Sequence, residues 1–352
     1  MLATIPITKT SASRMTPELR DTAAFGAVFS DHMLVADFVG GKWTEPRIIP
    51  YGAQPMAAAP ACAHYGQGIF EGFKAFPRAG GGAVVFRPDA NHARMAKTCQ
   101  RMAMPEVPAS IFIDGTLALV QLDRNWIPEV PNSALYVRPV LFATGETLGV
   151  KPSESFRFVI ETCPSAPYFS GSVDLIAEDV YVRAFPGGTG AAKCGGNYAG
   201  SMLASIEAQK KGFHNVLWLD GIERKYVEEA GLMNVAFVMN GTVVTPPLGG
   251  TILPGITRDS VLTLLREMNI PVEERRISID EVFEAHAKGT LQGAAGLGTA
   301  AVIAPLGRLR HKDREITVPA MTPASPLGKA GAELEAIRSG QKADRHGWLI
   351  AI

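Results

Sequence analysis

The stretch Cys163-Pro-Ser-Ala-Pro-Tyr168-Phe-Ser-Gly-Ser172 constrains this chain more than any other feature. It packs two prolines, a glycine and three serines into ten residues. Proline fixes φ and donates no backbone N–H, so such a run neither propagates a helix nor fills a central strand. It is the natural place to divide a chain of 352 residues, a length that suits about two domains. The expected division is a smaller N-terminal α/β domain over 1–163, an interdomain loop over 164–175 and a larger C-terminal domain over 176–352. Residues 1–24 are expected to form a flexible arm.

Strands alternate with helices on both sides of this break. Ala83–Phe86, Leu135–Phe142 and Phe156–Thr162 read as strands. Asp89 is placed to cap a helix running to about Met102, with Met95, Cys99 and Met102 on one face. Beyond the loop, Ser201–Lys211 reads as a helix, and Val216–Leu219 and Val235–Met239 as strands. Asn240-Gly241 is a two-residue hairpin signal leading into Thr242–Thr245. Pro254-Gly-Ile-Thr257 opens a helix, with Thr257 as its cap. In it Val261, Leu264, Leu265 and Met268 fall at i, i+3, i+4 and i+7. The predicted class is α/β, a mixed α+β chain in two unequal parts.

Composition narrows the function. A hydrophobic content of 47% supports a buried core, and 34 basic residues balance 34 acidic ones. That balance gives no support for nucleic-acid or anionic-membrane partners. No apolar run reaches membrane-spanning length, and the opening segment lacks the apolar centre of a secretory signal. Cys62, Cys99, Cys163 and Cys194 form no CxxC pair and no metal-ligand spacing. The expectation is a cytoplasmic protein without a metal.

The candidate chemistry centres on Gly190-Ala-Ala-Lys193-Cys-Gly-Gly-Asn-Tyr198-Ala-Gly-Ser201. A lysine among small residues lets a planar ligand approach the backbone, and poor solvation makes its amine a usable nucleophile. Alone, the same stretch reads more readily as a solvated loop lysine beside a glycine-rich turn. Four other segments have double readings. Leu253-Pro-Gly-Ile256-Thr257 offers helix N-terminal amides to a phosphate, or is an ordinary capped helix. Gly296-Leu-Gly-Thr299-Ala300-Ala301 is an anion nest or a tight turn. Tyr136 and Arg138 share one face of a strand, suited to a carboxylate, or to a snorkelling arginine. Glu228-Glu229 is a solvated pair unless one is buried beside a cation.

One ligand unites these pieces. Pyridoxal 5′-phosphate needs a lysine for its aldehyde, a phosphate cup of amides and hydroxyls, and a carboxylate for its pyridine nitrogen. With FSDHML at 29–34, GIFEGFKAF at 68–76, FRPDANHARM at 86–95, LYVRPVLFATGETLGV at 135–150, KCGGNY at 193–198, VLWLDG at 216–221, EAGLMN at 229–234, LPGITRDS at 253–260 and GTAAVIAPL at 298–306, the chain resembles the branched-chain amino acid aminotransferases. These belong to the fold-type IV pyridoxal-phosphate class.

The resemblance implies two domains with the cofactor site at their interface. It makes Lys193 the amine that holds the cofactor and then shuttles protons. It assigns Arg94, the amides of Ile256 and Thr257 and the Thr299 hydroxyl to the phosphate, Tyr198 to the phenolic oxygen and Glu229 to the pyridine nitrogen. Tyr65 and the amides of Thr299 and Ala300 would meet the substrate carboxylate. Phe25, Phe70, Tyr136, Arg138 and Tyr168 would shape the side-chain pocket. Leu148 and Val150 would serve the neighbouring subunit of a homodimer. The implied reaction moves the amino group of leucine, isoleucine or valine to 2-oxoglutarate.

Enzymes of the same fold that act on D-amino acids, (R)-amines or aminodeoxychorismate share the lysine, the glutamate and the cup. They differ in the FEGMKAF-like and YVRP-like segments, both kept here. A non-catalytic relative would be expected to lose Lys193 or Glu229. Two departures stand out: Leu232 replaces a common threonine, and Ala301 and Ala304 occupy the places of a vertebrate CxxC pair.

Overall fold

The computed structural model describes residues 5–78, 81–131, 133–165, 171–299 and 302–352. The chain divides into two compact units. The first comprises Met1–Tyr168, Ala192–Gly195 and Ile337–Ile352; the second comprises Phe169–Ala191 and Gly196–Ala336. Of the segment 164–175 expected as a loop, 164–165 end the strand Phe156–Ser165, 173–175 begin the strand Val173–Glu178, and 166–170 lie outside the described residues. Two segments depart from a single cut: the four residues around Lys193 and the C-terminal tail both pack with the first unit.

In the first unit the strand Ala134–Ala143 is the organiser. It pairs antiparallel along its whole length with Phe156–Ser165, from Ala134↔Ser165 to Ala143↔Phe156. His32–Val39 follows on the far side of Phe156–Ser165. On its other edge Ala134–Ala143 takes Gly68–Phe70 and Phe73–Pro77 in one continuous register. Between them the ladder is interrupted at Glu71-Gly72. Pro139, opposite the gap, has no N–H to give, and its carbonyl accepts from the Glu71 amide at 2.8 Å. The sheet continues through Ala83–Phe86 to Leu349–Ala351 of the tail. Its apolar face packs on a stack of Phe73, Phe112 and Phe158 with centroids 5.8 and 6.0 Å apart.

The helix expected after Asp89 spans Pro88–Arg101. Its cap is Arg87, at φ 48° and without a side-chain cap bond, and Pro88 sits in its first turn. Proline's preset φ starts the helix there, so Asp89 serves as a first-turn acid and not as the cap. Met95 and Cys99 are buried, as are Arg94 and Thr98 one turn apart.

In the second unit six strands form a hydrogen-bonded ring: Val227–Ala230, Asn215–Leu219, Val173–Glu178, Val302–His311, Leu291–Gly298 and Met233–Met239, which pairs back to Val227–Ala230. Closure removes the exposed edges of these strands. Thr242–Thr245 and Val272–Glu274 extend the sheet beyond the ring. Asn240 and Gly241, at φ 50° and 77°, make the expected hairpin turn. The helix after Pro254 spans Ile256–Glu267. Its cap is Gly255 and not Thr257, which lies within the first turn. The reason is space: a Cβ on Gly255 would lie 1.9 Å from the Asn234 side-chain oxygen.

Candidate active site

The Lys193 segment is built into the first unit by its neighbours. Cys194 bridges to Ile69 in antiparallel fashion, and the Phe70 amide donates to the Lys193 carbonyl at 3.0 Å. The Lys193 amide donates to the Thr98 hydroxyl at 3.2 Å. Lys193 and Cys194 are therefore fixed from one strand end and one helix face, and the Lys193 ammonium lies 4.9 Å from the centre of the Phe70 ring. Cys194, 3% exposed, acts here as a small residue that fits under this clip.

Arg94 lies one helical turn before Thr98. Its Nε and Nη2 donate to the two oxygens of Glu71 at 2.8 and 2.7 Å. Glu71 is fully buried because the break opposite Pro139 turns it inward. This bidentate pair orients the guanidinium that the resemblance assigns to a phosphate. Nothing in the sequence singled out Glu71, since the pairing spans 23 positions.

The predicted side-chain pocket is also assembled in this unit. Tyr136 lies over Gly72, where a Cβ would sit 1.8 Å from its hydroxyl. Arg138 Nη2 donates to that hydroxyl at 2.9 Å. The Arg138 guanidinium lies 4.5 Å from the Phe70 ring centre and 5.2 Å from that of Tyr136. Phe25 meets Tyr136 edge-on at 4.8 Å. The pairing of Tyr136 with Arg138 read from strand alternation thus holds, and the arginine does not snorkel. Burial pushes the Tyr136 phenol up from its ordinary range. Tyr65 ends the helix Ala61–Tyr65 and donates to the Leu148 carbonyl. Leu148 and Val150 are 75% and 85% exposed.

The second unit carries the acid. Glu229 and Asn234 are register partners across a hairpin whose first turn residue, Gly231, has φ 57°. Asn234 donates to Glu229 Oε1 at 3.3 Å and to the Leu253 carbonyl at 2.9 Å. The Leu253 amide donates to the same Glu229 oxygen at 2.9 Å. The other oxygen lies 3.1 Å from Arg183 Nε, both side chains being buried. Arg183 Nη2 in turn donates to the Gly190 and Thr251 carbonyls. Glu229 therefore has the buried cationic neighbour that a functional reading of the Glu228-Glu229 pair requires.

Glu228 differs. It accepts from Thr251 at 2.5 Å, its second oxygen is buried with no hydrogen-bond partner, and burial pushes its carboxyl up. Leu232 sits at the hairpin tip, 59% exposed.

Asn234 also occupies the space beside Gly255, so the acid and the start of the Ile256–Glu267 helix are set by one side chain. Thr257 is buried in that first turn. Thr299 follows the strand Leu291–Gly298, whose last residue is the register partner of Val302. Tyr198 belongs to the short helix Gly195–Ala199. Gly190 is small for an internal reason, since a Cβ there would lie 2.2 Å from the Thr251 carbonyl oxygen. Gly196 has open space around it, as close approach of a planar ligand requires. Tyr168, Ala300 and Ala301 lie outside the described residues.

Sequence reasoning missed three residues that set these geometries. Glu71 and Arg183 act over long sequence separations, and Asn234 was visible only as a member of a motif. The one available signal was that Asn234 follows a two-residue turn after Glu229's strand, which makes cross-strand partners of the two.

A lysine clipped at its backbone, a clamped arginine, a salt-bridged buried glutamate and a glycine-started helix suit an aminotransferase of class IV. Residues 68–302 match the model of the family described as amino-transferase class IV, and the chain belongs to that family. Its relatives include a probable branched-chain-amino-acid aminotransferase of Staphylococcus epidermidis, 45% identical over 95% of each chain. Branched-chain-amino-acid aminotransferase 2 of Bacillus subtilis is 42% identical over 99% of this chain and 97% of that one. Among solved structures, the branched-chain aminotransferase of Thermoproteus uzoniensis with norvaline covers 91% of this chain and 99% of its own, with TM-score 0.74 at 23% identity. The branched-chain amino acid aminotransferase of Thermobaculum terrenum in its PLP-form covers 90% and 97%, with TM-score 0.71 at 22% identity.

The donor set fits pyridoxal 5′-phosphate. The first unit holds an amine and a fixed guanidinium and the second a buried carboxylate and helix amides, the kinds of group that its aldehyde, phosphate and pyridine nitrogen require.

Proposed function

We propose that this chain is a pyridoxal-phosphate-dependent transaminase that moves the amino group of leucine, isoleucine or valine to 2-oxoglutarate. When bound, the cofactor supplies an aldehyde to carry the amino group and a protonated ring to take up negative charge from the substrate's α-carbon. Lys193 Nζ would take the substrate's α-proton and serve as the proton donor later in the transfer. Glu229 holds the ring-nitrogen proton. Arg94, the amides of Ile256 and Thr257 and the Thr299 hydroxyl bind phosphate, and Tyr198 orients the phenolic oxygen. Tyr65, with the Thr299 and Ala300 amides, takes the substrate carboxylate. Phe25, Phe70, Tyr136, Arg138 and Tyr168 receive the side chain.

The observation that carries this reading is the Arg138 guanidinium held among Phe70 and Tyr136. An apolar wall that carries a guanidinium suits a pocket that receives a branched alkyl chain and a carboxylate in turn. The family and its branched-chain relatives at over 40% identity support the same reaction. Exposed Leu148 and Val150 support a homodimer in which each lends these residues to its partner. The four cysteines are free, which suits a reducing compartment and so a cytoplasmic enzyme. No helix among the described residues is long and apolar enough to cross a membrane.

The test is a substrate panel on the holoenzyme. Leucine, isoleucine and valine are expected to convert with 2-oxoglutarate as acceptor. Steady deamination of D-alanine with no action on L-leucine would overturn the assignment.

A further inference from the structure

Arg138 and Glu161 are register partners on adjacent antiparallel strands, Ala134–Ala143 and Phe156–Ser165. Such partners lie on one face with Cβ atoms about 5 Å apart, where opposite charges ordinarily pair. These two form no ion pair. Arg138 instead turns to the Tyr136 hydroxyl and the Phe70 ring. Its Nε is buried with no hydrogen-bond partner. Glu161 is half-buried. Burial pushes its carboxyl up, with Arg138 acting against that.

Among the described residues the Cys163 thiol and the Tyr51 phenol also feel Glu161, and neither offers it a counter-charge; burial raises both. Arg14 lies over the ring of Tyr51, 5.5 Å from its centre, and is bonded to the carbonyls of Phe29 and Ser30. Among the described residues Arg138 is thus the cation that acts on Glu161, with its Nη2 held by Tyr136 and its Nε without a partner.

A pocket that receives alkyl and carboxylate side chains in turn faces an electrostatic problem. A guanidinium that serves the carboxylate is left uncompensated when an alkyl chain fills the space, and a buried unmatched charge is costly. We propose that Glu161 is a specificity-determining residue. It is the counter-ion to which Arg138 retires when a neutral side chain occupies the pocket, leaving Arg138 free to meet a carboxylate when one arrives. This rests on the pocket assignment made above. It adds a residue outside the motifs that carry the family resemblance, and it gives the charged pair in direct register a role in side-chain selection.

Half-reactions of the holoenzyme with L-leucine and with L-glutamate test it. Glu161→Gln is expected to raise the apparent dissociation constant for L-leucine about tenfold, the scale of one partly buried ion pair. Binding of L-glutamate should move less than about twofold, since Arg138 meets the substrate in that complex. Glu161→Asp, which keeps the charge at shorter reach, should lie between Gln and the parent for L-leucine, and it serves if the Gln variant fails to fold. Arg138→Met separates the two layers of the argument. It should abolish measurable L-glutamate binding, by a far larger factor than any change in L-leucine binding. If L-glutamate is unaffected, the pocket assignment and the inference fall together. If Arg138→Met behaves as expected but Glu161→Gln shifts both substrates equally, or neither, the inference alone is overturned.

Discussion

The two units assemble their functional groups in opposite ways. The first gathers Lys193, Arg94 and Arg138 from an excursion of the chain, a helix and a central strand, and orients Arg94 through Glu71 at a break in the sheet. The second builds its acid from one hairpin: Glu229 and Asn234 are register partners, and the loop through Leu253 and Gly255 closes on both. The first unit presents cations and an amine; the second presents a carboxylate and helix amides. A site made from distant pieces depends on packing to keep each piece in place. A site made from one hairpin depends on a few cross-strand contacts, so single substitutions there act locally.

Three substitutions test that difference, in order of expected effect. Lys193→Ala removes the amine while leaving the backbone clip of Phe70, Cys194 and Thr98 intact. Turnover is expected to fall by at least about 10⁴-fold, because attachment and proton transfer are lost together. Cofactor uptake, followed by absorbance and equilibrium dialysis, should persist through the remaining phosphate groups. Near-normal turnover would refute the role of Lys193.

Gly255→Ala strikes the hairpin-built site, where the new methyl meets the Asn234 oxygen at 1.9 Å. The expected cost is about 1–3 kcal/mol of stability, as for overpacking elsewhere, measured by denaturant unfolding. Cofactor affinity should weaken with it, and an unchanged affinity would show that Asn234 does not couple Glu229 to the helix start.

Glu228→Gln should have the smallest effect, and its sign is set by titration. Glu228's carboxyl is raised by burial, so the folded state holds its proton at pH values where the unfolded chain has lost it. Stability from this group is therefore full below the ordinary glutamate range near pH 4.5 and declines as pH rises toward the folded value. Glutamine cannot ionise and should flatten that decline, with parent and variant alike at low pH. A variant that loses stability equally at every pH would show that the carboxyl is not held neutral. Transamination should change little, because the pyridine nitrogen is assigned to Glu229.

Much of the fold was legible locally. The hairpin at Asn240-Gly241 follows from two residues that accept positive φ. The strand Ala83–Phe86 and the apolar stripe Val261, Leu264 and Leu265 follow from period and composition. Both helix caps were misplaced, at Arg87 instead of Asp89 and at Gly255 instead of Thr257. In each case a local rule for side-chain caps lost to a constraint from elsewhere: the fixed φ of Pro88 and the space taken by Asn234. Residue types suited to a cofactor were equally visible, but each segment alone had an ordinary structural reading of at least comparable weight.

The sequence by itself determined the inventory: one lysine among small residues, paired glutamates before a glycine turn, and a tyrosine and an arginine two apart on a strand. Those are properties of spacing and backbone preference, which act over a few residues. Only the tertiary structure decided which glutamate is salt-bridged, that Glu71 clamps Arg94, that Arg138 turns inward, and that Lys193 packs with the first unit. These depend on burial and on partners tens of residues away, where no local periodicity reaches.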